Sequence, residues 1–106
     1  MRLSEETFAR LLSSFQAAGA DVSKPHISGD CYEMIGEFEG HPFAVYIFRG
    51  IFSDGIIVKV EKRVRSCFEA LYGPTGLYAI TRDGSIEPDR LARKIRIVLY
   101  AQEHQL

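Results

Sequence analysis

The run "FAVYIFR", residues 43–49, constrains the fold of this chain more than any other segment. Extended backbone sends alternate side chains to opposite faces of a sheet, and in this run both faces receive apolar groups. The two sets are Phe43, Val45 and Ile47 on one face and Ala44, Tyr46 and Phe48 on the other. A strand of this kind is typical of the centre of a sheet that is covered on both faces. The sequence therefore predicts a layered fold, and the second face of this strand needs a partner layer.

Three further segments alternate with the period of two that is expected of strands. Residues 31–40 place glutamates on one face, which predicts a strand with one wet side. The turn "EGHP" then reverses the chain into the central strand, because glycine permits a tight turn and proline can begin a strand. Residues 55–63 predict a third antiparallel strand. Residues 77–82, which the turn sequence "DGS" follows, predict a fourth.

Helical spacing of apolar residues occurs in three places. Residues 4–18 carry apolar groups at i, i+3, i+4 and i+7, and Ser4 is a suitable N-cap, so they predict a first helix. Residues 63–72 show similar spacing and predict a short second helix that "GPTG" ends. Pro88 suits the first turn of a third helix that we expect to reach about Gln102. The buried stripe of this helix is Leu91, Ile95, Val98 and Leu99.

The predicted element order is αβββαβα, in a single α+β domain over residues 1–106 with an antiparallel sheet of about four strands and flanking helices. Residues 19–30 are rich in Gly, Ser, Asp and Pro, so we expect a loop there, with loose pairing to the sheet at most. The outline resembles the α/β fold of type III secretion chaperones, which also begin with a helix followed by three antiparallel strands. The resemblance is one of architecture and implies little about function.

Composition indicates an ordinary globular domain, with 46% hydrophobic and 25% charged residues. No run of about 18 apolar residues is present and the first ten residues contain acids, so we expect neither a membrane span nor a signal peptide. The predicted location is cytoplasmic. Cys31 and Cys67 fall in separate predicted elements and form no CxxC pair, so we expect reduced core thiols in preference to a disulfide or a reactive site.

The residues that carry metal or cofactor chemistry show no convincing pattern. His26, His41 and His104 lack the clustered spacing of a metal site, so no metal is expected. The glycines near residues 36–55 lie between strands, whereas a phosphate loop joins a strand to a helix, so no cofactor is expected. Gly36 instead predicts a bulge or a place where an aromatic ring fits.

The candidate catalytic residues form no convincing site either, so we predict that the protein is not an enzyme. His26 with Cys31 would make a nucleophilic pair, but no third residue to orient it is evident. Glu33, Glu37 and Glu39 share one face of the first strand, and a solvated face is the preferred explanation over acid–base chemistry. A small enzyme with Cys31, Glu33 or Glu37 in a site at a subunit interface is the third hypothesis.

Two surfaces look more apolar than folding requires, and they define the first hypothesis. Ile51 and Phe52 lie in a turn segment, "GIFSDG". On the last helix, Ile97 and Tyr100 lie among cations that include Arg93 and Arg96, an arrangement typical of a hot spot with a charged rim. These six residues predict a small non-enzymatic protein-binding module, an adaptor, chaperone or inhibitor of another protein. A homodimer belongs to the same class.

The alternative hypothesis is a nucleic-acid-binding protein that uses the basic second half. Residues 1–55 carry four Lys/Arg against eight Asp/Glu, whereas residues 56–106 carry nine against six. The candidate phosphate contacts are Lys62, Arg63, Arg65, Arg93 and Arg96. No recognised nucleic-acid-binding motif accompanies them, and the net charge of −1 argues against a dedicated high-affinity binder. Protein binding is therefore the preferred prediction.

Overall fold

A computed structural model describes residues 3–50 and 54–100, which fold into three helices and six strands. The helices are α1 (Glu5–Ala17), α2 (Cys67–Tyr72) and α3 (Pro88–Tyr100). The strands are β1 (Ala20–Val22), β2 (His26–Ser28), β3 (Cys31–Phe38), β4 (His41–Arg49), β5 (Ile56–Glu61) and β6 (Leu77–Thr81). All paired strands run antiparallel, which confirms the α+β class.

The sheet order is β1-β3-β4-β5-β6, so β4 is the central strand as its doubly apolar sequence predicts. β3 pairs with residues 41–47 of β4 and β5 pairs with residues 44–49, so Val45 lies opposite Met34 on one side and Val60 on the other. Residues 43–48 are all buried. The two faces of β4 therefore belong to two different apolar layers.

The prediction of about four strands, in the order αβββαβα, is wrong in detail, because two short strands form in the predicted loop. β1 and β2 both pair with β3, Ala20 opposite Phe38 and Ser28 opposite Cys31. Pairing of this kind uses backbone amides and carbonyls, so it needs no apolar periodicity in the sequence. Pro25 separates the two strands because it has no amide to donate to a ladder.

The inner face of the sheet carries the main core and is covered by α1 and α3. α1 begins where predicted, with Ser4 Oγ accepting a hydrogen bond from the Thr7 amide at 3.1 Å. α3 buries the predicted stripe against β5 and β6. The helical residues of this core include Leu11, Phe15, Leu91, Ile95, Val98 and Leu99.

The outer face has less cover, because α2 is the one helix among the described elements that packs on it. α2 is shorter than the predicted 63–72 helix, and Ala70 is its buried residue. Apolar residues at helical spacing usually face a core, but Phe68 and Tyr72 of α2 are exposed. The smaller outer core comprises Cys31, Ala44, Tyr46, Phe48 and Ala70.

Candidate functional site

Five exposed large apolar side chains cluster on α2 and β6 at the outer side of the sheet, and we call them the outer patch. They are Phe68, Leu71 and Tyr72 on α2 and Tyr78 and Ile80 on β6. Their exposed fractions run from 38% for Leu71 to 71% for Phe68. The rings of Phe68 and Tyr72 lie 4.8 Å apart, centroid to centroid. Contiguous exposed apolar surface of this kind marks interaction sites on soluble domains.

Two open cavities border the outer patch. The first, the α2–β6 groove, has a volume of about 400 Å³ and runs between α2 and the outer side of β5 and β6. The second, the disulfide cavity, has a volume of about 430 Å³ and is lined by both cysteines and Phe68. Phe48, Arg49 and Leu71 line both cavities, so the two adjoin. The outer patch therefore surrounds a continuous concave surface.

A disulfide between Cys31 and Cys67 joins the start of β3 to the first residue of α2. The two Cα atoms lie 6.3 Å apart, a separation that a disulfide spans. The prediction of two reduced thiols is therefore wrong. Cysteines 36 residues apart in sequence meet because the outer face of β3 lies beneath the N-terminus of α2, a tertiary relationship that spacing does not reveal.

Lys59 holds the other end of α2. Its ammonium donates to the carbonyl oxygens of Ala70 at 2.5 Å and Gly73 at 3.0 Å. A cation at a helix C-terminus satisfies carbonyls that have no intrahelical partner and opposes the helix dipole. A six-residue helix is too short to persist alone, so the disulfide and Lys59 position the apolar side chains that α2 presents.

The buried carboxylate of Glu61 offsets the positive charge of Lys59 within the outer layer. It is 2% exposed, and one carboxylate oxygen, Oε2, lies 3.9 Å from Lys59 Nζ. The other, Oε1, accepts a hydrogen bond from Thr75 Oγ1 at 2.6 Å and lies 3.7 Å from Arg65 Nε. Alternation along residues 56–61 puts Lys59 and Glu61 on the same face of the strand as Ile57, but it gives no sign that both are buried.

Tyr46 fixes the segment that enters α2. Its hydroxyl donates to the Arg65 carbonyl and accepts from the Arg65 amide, both at 2.6 Å. Burial raises the pKa of Tyr46 above its ordinary value of 10.0, although the hydrogen bond with the Arg65 backbone opposes the rise. The phenol therefore stays neutral in ordinary buffers and acts as a structural clamp.

The predicted binding residues on α3 lie on the opposite side of the sheet from the outer patch. Ile97 is 43% exposed and Arg93 is exposed beside it. Arg96 lies 3.9 Å from Glu39 and 5.2 Å from the Phe38 ring centroid. The hydroxyl of Tyr100 donates to Glu39 at 3.0 Å. Arg96 and Tyr100 thus fasten α3 to the β3–β4 turn, which is a sufficient structural role for both.

The predicted basic track is divided between the two sides of the sheet. Arg65 contacts Tyr46, whose side chain belongs to the outer layer, and Lys62 and Arg63 precede it in the same loop. Arg93 and Arg96 lie on α3, across the sheet. The structure does not bring these two groups onto one surface. Ile51 and Phe52, the other predicted anchors, lie outside the described residues.

The residues considered for catalysis do not converge. Cys31 is in the disulfide, and His26 pairs across the ladder with Glu33 while Cys31 pairs with Ser28. Glu37 is exposed. Over residues 3–50 and 54–100, no group of three or more His, Cys, Asp or Glu side chains is arranged to hold a metal ion. Within the same residues no helix has the length and apolarity to cross a membrane.

The comparisons with known proteins give no relative. No family model matches the chain, and neither the curated proteins nor the solved structures contain a significant match. The architectural resemblance to type III secretion chaperones gains no support from them. The arguments about function therefore rest on the outer patch and its two cavities.

The outer patch was not predicted from the sequence, although the sequence contains a signal for it. Residues 67–72 contain Phe68, Leu71 and Tyr72 in a helix of less than two turns, and "LYAIT" places Tyr78 and Ile80 on the face opposite Ala79. So short a helix cannot cover all the apolar groups of β4, β5 and β6 on that face. Counting apolar residues against the available cover would have indicated an excess.

Proposed function

We propose that this chain is a non-enzymatic protein-binding module that acts by surface complementarity and that its docking surface is the outer patch. Adaptors, chaperones and inhibitors all belong to this class. The observation that carries the proposal is the exposure of five large apolar side chains around a concave surface on one side of the sheet. Aromatic residues of this kind dominate binding energies at protein interfaces.

The construction of α2 supports the proposal. The disulfide and the hydrogen bonds of Lys59 fix both ends of a helix that buries little of its own surface. Side chains that are held rigidly before binding lose less conformational entropy when a partner arrives. Structural cover alone would have placed the apolar side of α2 against the sheet, whereas Phe68 and Tyr72 point away from it.

A nucleic-acid partner receives less support, because the basic residues are divided between the two sides of the sheet. An enzyme receives less support, because Cys31 is bonded to Cys67. A cytoplasmic location stays a prediction, and the disulfide argues against it, because the cytosol keeps most thiols reduced.

Affinity purification of four tagged versions of the chain at native expression level tests the proposal. They are the wild type, Tyr72→Ser/Ile80→Ser in the outer patch, Arg93→Ser/Ile97→Ser on α3, and the control Val64→Ser. Val64 is a matched control because it is 68% exposed and lines neither the groove nor the disulfide cavity. All five substituted positions are solvent-exposed, so the fold should survive, which circular dichroism checks.

We expect the wild type, the α3 variant and the control to retain the same protein and the outer-patch variant to lose it. Retention by the outer-patch variant together with loss by the α3 variant would move the site to α3 and overturn the proposal. Loss of all retained protein after nuclease treatment, with oligonucleotide binding that falls steeply with salt, would favour nucleic acid instead.

A further inference from the structure

We infer that the partner of the outer patch is a second copy of this chain. In the proposed dimer a two-fold axis relates the copies, and α2 of each lies in the α2–β6 groove of the other. This inference rests on the proposed function, because it names the protein that the outer patch binds. It specifies a symmetric contact between Tyr72 of one copy and Ile80 of its partner.

The shape of the surface supports a symmetric contact. A two-fold interface uses the same surface on both copies, so that surface must contain both a projection and a matching recess. The exposed side of α2 provides the projection through Phe68 and Tyr72. The neighbouring groove, with a volume of about 400 Å³, provides the recess, and Ile57, Tyr78 and Ile80 line it. Both lie on one side of the sheet.

The area of the patch is sufficient for a dimer. Aromatic residues carry roughly 200 Å² of surface each, so the exposed fractions leave on the order of 600 Å² of the five side chains in water. Two patches in contact would bury on the order of 1,200 Å² in total, which is the lower limit of specific interfaces. Interfaces near that limit are typical of weak, transient association.

The charges of the surface permit the contact. None of the five side chains of the outer patch is charged, so no like charges meet at the centre of a two-fold interface. Lys59 lines the groove, but its ammonium already donates to the carbonyls of Ala70 and Gly73. Arg49 is exposed where the groove adjoins the disulfide cavity. Docking of α2 in the groove therefore covers Lys59 with its hydrogen-bond partners already in place.

Sedimentation equilibrium from about 1 µM to about 200 µM tests the inference on the full chain under non-reducing conditions. We expect the wild type to approach twice the chain mass of 12.0 kDa at the upper concentrations. Tyr72→Lys and Ile80→Lys should each raise the dissociation constant at least about tenfold, because each buries an unpaired cation at the centre of the interface. Val64→Lys, outside the patch, should leave it unchanged.

A mixing experiment tests the arrangement within the dimer. Tyr72→Glu and Ile80→Lys should each weaken self-association, and an equimolar mixture of the two should recover most of it. In the mixed dimer the introduced carboxylate faces the introduced ammonium at one contact, and the wild-type pair remains at the other. A dimer that pairs by the edges of β6 would respond to Ile80→Lys and not to Tyr72→Glu, and this result would overturn the proposed arrangement.

A wild type that sediments as a monomer up to about 200 µM would overturn the inference. So would a dimer that Tyr72→Lys/Ile80→Lys leaves intact. Neither result decides the proposed function. That proposal is tested separately, by whether the wild type captures a different protein and Tyr72→Ser/Ile80→Ser fails to capture it.

Discussion

The ring of Phe43 on β4 lies against the backbone of Gly36 on β3, where it occupies the space that a side chain would need. A Cβ built at Gly36 would lie 2.6 Å from Phe43 Cε1. The two residues are directly opposite in the ladder, and both are buried on the inner face. The sequence left two explanations for Gly36, a bulge or room for an aromatic ring, and the second is confirmed.

We expect Gly36→Ala to lower the free energy of unfolding by about 2 kcal/mol, because the added methyl forces the Phe43 ring out of its packed position. Urea denaturation measures the change. In a Phe43→Leu background the same Gly36→Ala substitution should cost clearly less, since the ring that it displaces is gone. Equal costs in the two backgrounds would show that Phe43 is not the obstacle.

The Cys31–Cys67 disulfide should contribute about 3–4 kcal/mol to stability, because it closes a loop of 36 residues in the unfolded chain. We expect Cys31→Ala/Cys67→Ala to lose this amount under non-reducing conditions. A reductant should lower the unfolding midpoint of the wild type and leave that of the double variant unchanged. Thiol titration of the unfolded, non-reduced wild type should find no free cysteine, and two free thiols would contradict the bridge.

Lys59→Met should cost about 3 kcal/mol, because it removes the donor to two carbonyls of α2 and leaves the buried Glu61 with less opposing charge. The double variant Lys59→Met/Glu61→Gln should cost less than the sum of the two single variants, as measured by urea denaturation. Lys24→Met is a control on an exposed lysine and should change stability by no more than about 0.5 kcal/mol. Additive costs would indicate that the two buried charges act independently.

Asp83 should give the protein part of its sensitivity to acid. The Ser85 amide donates to its carboxylate at 2.9 Å and, with the nearby Arg10, holds the pKa of Asp83 below its ordinary value of 3.8. A lowered folded-state pKa adds stability that is present above pH 3.8 and is lost as the pH falls through the folded-state value. Asp83→Asn should therefore flatten the loss of stability in acid, measured by urea denaturation at successive pH values. An unchanged acid slope would rule out this contribution.

Local sequence patterns predicted the elements that pack against a single core through one apolar side. The stripe of α3 and the alternation of β3 each describe one apolar side facing one core, so periodicity alone assigns both. The central position of β4 follows from its two apolar faces. The short strands β1 and β2 were missed, because they are held by backbone pairing to β3, which leaves no apolar pattern in residues 20–28.

The sequence by itself determined the α+β class, the central strand and the inner core, because these depend on spacing within single segments. Only the tertiary structure decided what lies on the outer face. The meeting of Cys31 with Cys67, the burial of Lys59 beside Glu61 and the exposure of Phe68 and Tyr72 all depend on where α2 packs. That position is set by contacts between residues far apart in the chain, and apolar spacing does not distinguish a side chain that faces a core from one that faces a partner.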